Sequence, residues 1–333
     1  MNFNHGGNLG QFAKINNYNP NDIVDLSSNI NFIKPTIDLG KCDIGTYPTY
    51  EKLIEVTTNY YNVKDEQIEF FNGASSAIFS LMRQLKNQNC TLYSPIYLEY
   101  KKSVLLNKKK ITLIDRFNQL DATVEENSLV VFVNPSTPDG KYYDLETLFL
   151  KWCSKNCTII IDESFLEFTT KKSAISLLSK YDKLYIVKSM TKFFSCAGVR
   201  FGMVISSKEN IAKLKQEEPL WKISAFDSQF ITNILEDKNF YLQTIKENTK
   251  AKEYLQKILS ESNIIKKIYE SDANFFLVEL VDISAKEFQE KLIPFGIMIR
   301  DCSNFDFLNE KFARIAVKSM VDLQRFKKAL DVF

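Results

Sequence analysis

The chain has 333 residues, 45% of them hydrophobic, with 43 Lys and Arg against 41 Asp and Glu, a net charge of +2. That length buries a large core and suits two domains of unequal size. The near balance of charge leaves no long-range field that would draw nucleic acid or an anionic membrane surface. Basic clusters at Lys108-Lys109-Lys110 and Lys171-Lys172 read as solvated loop charges. Six cysteines (Cys42, Cys90, Cys153, Cys157, Cys196 and Cys302) lack paired spacing, and the single histidine, His5, is remote from them, so no metal site is expected. One histidine also removes Ser-His-Asp and Cys-His hydrolase schemes unless His5 itself serves. No signal peptide is evident, and no apolar run approaches the roughly 18 residues that cross a bilayer, so a cytoplasmic protein is expected.

Short β-branched runs alternate with longer helical patterns through the middle of the chain. Residues 90–93, 129–133, 158–161, 183–187 and 201–206 read as strands, several of them apolar without alternation, as when helices cover both faces of a sheet. Between them, residues 75–86, 98–106, 144–154, 174–179 and 208–216 read as helices. The alternation predicts an α/β fold, a doubly wound, mostly parallel sheet. One long helical region then covers 224–261. Strands at 274–280, 297–300 and 313–317 and helices at 284–292 and 322–332 follow, the pattern of a smaller α+β domain. The expected division is an N-terminal arm (1–30) that joins the small domain and the active site, a large domain (31–215), a helical connection (216–260) and a small C-terminal domain (261–333).

Ligands of doubly wound sheets gather at the carboxyl ends of the strands. Asp162 ends one expected strand, and Lys192 lies in the loop Ser189-Met190-Thr191-Lys192 after another, with Arg200 eight residues on. The segment Asn72-Gly73-Ala74-Ser75-Ser76 opens a helix with small and hydroxyl residues. By itself Ser75 or Ser76 reads as an ordinary N-cap. With Thr191 and Arg200 converging on it, the helix start reads as an anion cradle. Tyr97 follows a strand and reads either as a ring that stacks on a ligand or as simple packing, and Asn134-Pro135-Ser136-Thr137-Pro138-Asp139-Gly140 is a turn-rich loop at the same sheet edge. Arg300 and Arg314 lie in or beside apolar strand patterns, where a charge is costly unless it meets a structural carboxylate or an anionic ligand. An amine, an anion-binding arginine and a strand-end carboxylate, in the order Asp162…Lys192…Arg200, are the groups that hold pyridoxal 5'-phosphate.

With these residues the chain resembles the fold-type I pyridoxal-phosphate enzymes of the aminotransferase group, almost end to end. Within them it is most similar to the threonine-phosphate decarboxylases of cobalamin biosynthesis, and more distantly to histidinol-phosphate aminotransferases. The segments that carry the decarboxylase likeness are His5-Gly6-Gly7-Asn8, Asp25-Leu26-Ser27-Ser28-Asn29-Ile30-Asn31, Ile297-Met298-Ile299-Arg300-Asp301-Cys302-Ser303-Asn304-Phe305 and Arg314-Ile315-Ala316-Val317-Lys318-Ser319. The resemblance implies Lys192 as the Schiff-base lysine and Asp162 as partner of the pyridine nitrogen. It implies Ala74, Ser75, Thr191 and Arg200 around the cofactor phosphate, with Tyr97 against the ring. Tyr47 matches a tyrosine that reaches a cofactor phosphate in the neighbouring subunit, which implies a homodimer with shared sites. Arg314 matches the arginine that grips the substrate carboxylate, and His5, Asn29 and Arg300 fall where the decarboxylase holds its substrate phosphate. Two departures stand out. Thr137 replaces an Asn that donates to the cofactor's phenolic oxygen, and Phe165 lies near a position where the aminotransferases carry Tyr.

The expected activity is decarboxylation of a small O-phosphorylated amino acid, threonine phosphate or serine phosphate, to a phosphorylated amino alcohol. The alternative is transamination of a small phosphorylated amine or ketone, histidinol phosphate or dihydroxyacetone phosphate, with glutamate as second substrate. A non-enzymatic regulator would need a DNA-binding module, and the sequence shows none.

Overall fold

The structure is a computed structural model that describes residues 6–36, 38, 40 and 42–333. In chain order, α1 (Leu9–Asn16), β1 (Val24–Asp25) and α2 (Glu51–Tyr61) lead into β2 (Ile68–Asn72), α3 (Gly73–Gln84), β3 (Asn89–Ser94), α4 (Leu98–Leu106) and β4 (Lys110–Asp115). Then come β5 (Leu129–Val133), α5 (Glu146–Ser154), β6 (Thr158–Asp162), β7 (Leu184–Ser189), β8 (Phe201–Ser206) and α6 (Lys208–Gln216). The remainder comprises α7 (Ala225–Glu236), α8 (Lys238–Ser260), β9 (Ile265–Ile268), β10 (Phe275–Leu280), α9 (Ala285–Leu292), β11 (Ile297–Met298), β12 (Arg300–Asp301), β13 (Phe312–Ala316) and α10 (Met320–Leu330).

Among the described residues the strands form three sheets. The largest has the order β2-β8-β7-β6-β5-β3-β4. Its pairs from β4 through β7 are parallel, and β8 runs antiparallel to both β7 and β2. Every residue of β5, β6, β7 and β8 is buried. The uninterrupted apolar runs therefore have the physical cause inferred from sequence: helices and loops cover both faces. The second sheet has the order β12-β13-β10-β9, and β1 pairs in parallel with β11. Val24 and Leu26, from the N-terminal segment, consequently pack in one core with Ile297, Ile315, Leu323 and Phe326.

Several local expectations are corrected. Lys109 is not a solvated loop charge: it is buried, and its Nζ donates to the carbonyls of Leu85 and Asn87 (2.7 Å to the latter). Lys110 opens β4, a strand whose alternating exposure and basic start hid it. The helical region 224–261 is two helices broken at Asp237, whose carboxylate caps α8 by accepting from the Phe240 amide at 2.9 Å. Residues 174–179 form only a short 3₁₀ turn over Ala174–Leu177. The stretch 297–300 divides between two partners, β11 on β1 and β12 on β13.

Candidate active site

A cavity of about 320 Å³ lies where the carboxyl ends of β5, β6 and β7 meet β12, β13 and the N-terminal segment. Its wall includes Ala74, Ser75, Tyr97, Thr137, Asp162, Thr191, Lys192, Arg200, Asn29, Arg300 and Arg314. Eleven of the thirteen residues singled out from sequence thus meet around one space. Tyr47 does not. It is 72% exposed and stacks on Trp221, with ring centroids 4.3 Å apart. His5 lies outside the described residues.

Lys192 sits in the turn between β7 and β8. Its carbonyl accepts from the Asn31 amide at 3.0 Å, Asn31 Nδ2 donates to the Phe193 carbonyl at 2.8 Å, and Ser195 Oγ donates to the Asn31 carbonyl at 2.7 Å. The N-terminal segment therefore clamps the lysine turn. Burial brings the amine down to about 8, helped by the positive charges of Arg314, Arg200 and Lys318 and opposed by Asp162. Near neutral pH such an amine readily loses its proton, as a nucleophilic or proton-moving lysine must.

Asp162 ends β6 and is buried, and burial raises its carboxyl above the ordinary range. Its Oδ1 accepts from the Ser164 amide and hydroxyl, at 2.9 and 2.5 Å, and its Oδ2 accepts from Tyr100 at 2.8 Å. No salt bridge to it is formed among the described residues, whereas its neighbour Glu163 turns away and pairs with Lys188 at 2.8 Å. A buried carboxylate that is hydrogen-bonded yet lacks a cation is suited to receive one, such as a protonated ring nitrogen.

The first turn of α3 corrects the N-cap reading. Asn72 is the N-cap residue and makes no side-chain cap, and Ser76 Oγ donates instead to the Asn72 carbonyl at 2.7 Å. Ser75 Oγ lies 3.5 Å from Tyr97 Oη. The free N–H groups of this turn are thus left for a ligand, beside Arg200. Two glycines allow the approach. A Cβ on Gly73 would come within 2.6 Å of Arg200 Nη2, and one on Gly202 would collide with the Ala74 backbone nitrogen. Gly73 also has φ +80°, a region that other residues avoid.

Arg300 and Arg314 are register partners across the antiparallel pair β12–β13, and both are buried. Arg314 Nη1 donates to Thr137 Oγ1 at 3.1 Å and Nη2 to the Ser27 carbonyl at 3.0 Å, with the guanidinium 5.2 Å above the Phe275 ring. It meets no carboxylate among the described residues, and its Nε is buried without a partner. Burial brings it down to about 10, and Arg300 pushes the same way. Arg300 Nη2 donates to Asn304 Oδ1 at 2.7 Å, and its guanidinium lies 5.3 Å from the Phe305 ring centre. Of the two readings open for Arg314 in the sequence, the structural carboxylate is not found among the described residues. Thr137 keeps its hydroxyl hydrogen while accepting from Arg314, and Phe165 packs edge-on against Phe275, with ring centres 5.0 Å apart.

Tyr100, Ser164, Asn31 and Ser27 contact the candidate site residues, and the sequence had assigned none of them a role. Ser164 had a local signal, a serine two residues after a strand-end aspartate, the spacing of a side-chain turn. Tyr100 had none.

The residues present fit pyridoxal 5'-phosphate: a depressed amine, a cation-seeking carboxylate and an uncapped helix start beside an arginine share one cavity. The family described as aminotransferase class I and II matches residues 34–333. The chain is 31% identical to a protein of Caldanaerobacter subterraneus subsp. tengcongensis provisionally named threonine-phosphate decarboxylase, over 96% of this chain and 91% of that one. It is 30% identical to an L-serine phosphate decarboxylase of Campylobacter jejuni subsp. jejuni, over 86% of this chain and 80% of that one. Among solved structures, a histidinol-phosphate aminotransferase from Clostridium acetobutylicum superposes with a TM-score of 0.85 at 30% identity, covering 93% of this chain and 98% of that one. The chain belongs to the class I and II aminotransferase family, whose cofactor is pyridoxal 5'-phosphate.

Proposed function

We propose that this chain is a decarboxylase of a small O-phosphorylated amino acid, threonine phosphate or serine phosphate, and releases a phosphorylated amino alcohol and carbon dioxide. The observation that carries this reading is the buried pair Arg300 and Arg314, side by side across β12–β13 at the cavity wall. Like charges in register oppose one another. A substrate with two anionic groups a few bonds apart, a carboxylate on Arg314 and a phosphate on Arg300 and Asn29, relieves that repulsion bidentately. The cavity, about 320 Å³, is near the lower end for small-molecule sites. It must admit cofactor and substrate together, which favours a compact amino acid over an imidazole-bearing one.

Lys192 Nζ would anchor the cofactor covalently, Asp162 would pair with its ring nitrogen, and Ser75, Thr191, Arg200 and the first turn of α3 would hold its phosphate. Tyr97 would face its ring and Thr137 would donate to its phenolic oxygen. When bound, the cofactor supplies an electron sink for the bond that breaks at the substrate's α-carbon. Arg314, fixed by Thr137, Ser27 and the Phe275 ring, decides which bond that is by orienting the carboxylate. After carbon dioxide leaves, Lys192 Nζ returns a proton to the α-carbon. In the alternative reaction, transamination, the same amine removes the α-proton.

A homodimer in the cytoplasm belongs to the same reading. Tyr47 and Trp221 stack on the surface, with Ile44 and Leu220 beside them in sequence, and all four are exposed. An apolar patch of this kind suits a partner subunit, whose cofactor phosphate Tyr47 would reach. All six cysteines are unpaired, which suits a reducing compartment. No helix among the described residues is long and apolar enough to cross a membrane. We also propose the division into an arm, a large domain, a helical connection and a small domain, because separate cores form around the large sheet and around β10, β11 and β13.

The test is to give cofactor-loaded protein threonine phosphate, serine phosphate or glutamate. Carbon dioxide from a phosphorylated amino acid is the expected result. Release of 2-oxoglutarate from glutamate, with no carbon dioxide from either phosphate, would make the protein a transaminase.

A further inference from the structure

A second tyrosine, Tyr100, lies three residues after Tyr97, on the buried side of α4. Tyr100 is fully buried, and its hydroxyl donates to Asp162 Oδ2 at 2.8 Å. The chain contains 26 phenylalanines against 15 tyrosines, so a bare ring is the ordinary filler of its core. A hydroxyl carried into the interior costs free energy unless it makes a bond that matters.

The bonds around Asp162 divide its carboxylate. Oδ1 accepts from both the amide and the hydroxyl of Ser164, which uses its two lone pairs. Oδ2 accepts from Tyr100 alone, so one lone pair of Oδ2 remains for whatever enters the cavity that Asp162 lines. Three donors also oppose burial, which otherwise favours the neutral acid. Burial likewise holds the Tyr100 phenol neutral, and so a donor.

We propose that Tyr100 is a positioning residue which, together with Ser164, keeps the Asp162 carboxylate charged and turns the free side of Oδ2 toward the cofactor's ring nitrogen. This rests on the reading of Asp162 as partner of that nitrogen. One helix then serves the cofactor twice, with Tyr97 at its start against the ring and Tyr100 a turn later behind the carboxylate.

Removing the Tyr100 hydroxyl leaves burial less opposed, so Asp162 takes up its proton at higher pH and the bound ring nitrogen loses its counter-charge. The experiment compares the parent, Tyr100→Phe, Asp162→Asn and Tyr93→Phe, by cofactor dissociation rate and by cofactor retention between acid and neutral pH. Tyr93 is the structural control, a buried tyrosine whose hydroxyl oxygen accepts from Trp152 Nε1 at 3.0 Å. Tyr100→Phe is expected to release cofactor about tenfold faster and to lose it at a pH about one unit higher. Tyr93→Phe should keep the parent's pH dependence even if it unfolds more easily. Parent-like retention in Tyr100→Phe, with Asp162→Asn impaired, would reduce Tyr100 to packing and overturn the proposal. Parent-like retention in Asp162→Asn as well would instead remove the reading of Asp162 on which it rests.

Discussion

Lys192 is the residue whose electrostatics have a consequence for the protein without its cofactor. Its amine ordinarily titrates at 10.5 and is brought down to about 8 in the folded chain, first by burial and then by Arg314, Arg200 and Lys318. Below pH 8 both folded and unfolded chains carry the proton, and the folded state bears the full cost of a buried charge. Between about 8 and 10.5 the unfolded chain binds more protons, so stability rises with pH. Lys192→Met removes this dependence. In cofactor-free protein the variant is therefore expected to be more stable than the parent at pH 7, with the gap closing toward pH 10.5. Denaturant unfolding of both at several pH values checks it, and a gap that does not change with pH would contradict it. At this scale the sequence was legible wherever a chemical type sat at a strand end: Asp162, Lys192 and Arg200 announced themselves by order and spacing. Tyr100 and Ser27 were not, because each acts through one contact made only when distant segments meet. The Asp162–Tyr100 bond joins β6 to α4, and Arg314 reaches Ser27 across 287 positions.

At the scale of elements, alternation of apolar runs and helical periods disclosed the core of the large sheet, since burial on both faces leaves a clear composition. It missed β4, where Lys109 turns inward to cap carbonyls, and it ran α7 and α8 together, because a lone aspartate cap resembles any surface charge. The helix that matters most for the site is α3, brought against β8 by Gly202. Gly202→Ala is expected to push the first turn of α3 away, destabilise the fold by about 1–3 kcal/mol and weaken cofactor binding. Ser284→Ala removes the capping box of α9, where Ser284 Oγ accepts from the Glu287 amide at 3.1 Å. It should cost about 1 kcal/mol and leave cofactor affinity intact. Thermal unfolding together with cofactor titration separates the two. Equal losses of affinity in both variants would show that general destabilisation, not the helix start, governs binding.

For the whole molecule, the N-terminal segment is the piece that holds the site together. It pairs with β11 through Val24, supplies Ser27 to Arg314 and clamps the Lys192 turn through Asn31, so residues early in the chain close a cavity built by later ones. Tyr47 belongs to the same stretch yet faces outward onto Trp221, and it enters a site only in the proposed homodimer. Leu220→Asp is expected to shift the protein from dimer to monomer in sedimentation and to weaken cofactor binding at low protein concentration. A monomeric parent with full cofactor affinity would contradict shared sites.

Whether Arg314 directs loss of carbon dioxide or loss of the α-proton is the central question, and one reaction in deuterated water answers it most directly. Serine phosphate or threonine phosphate labelled with ¹³C at the carboxyl would be followed by NMR. Decarboxylation predicts labelled carbon dioxide and a phosphorylated amino alcohol with a single deuterium at the former α-carbon, delivered from Lys192. Retention of the carboxyl label, with deuterium washed into the α-position or a phosphorylated keto acid formed, would contradict it.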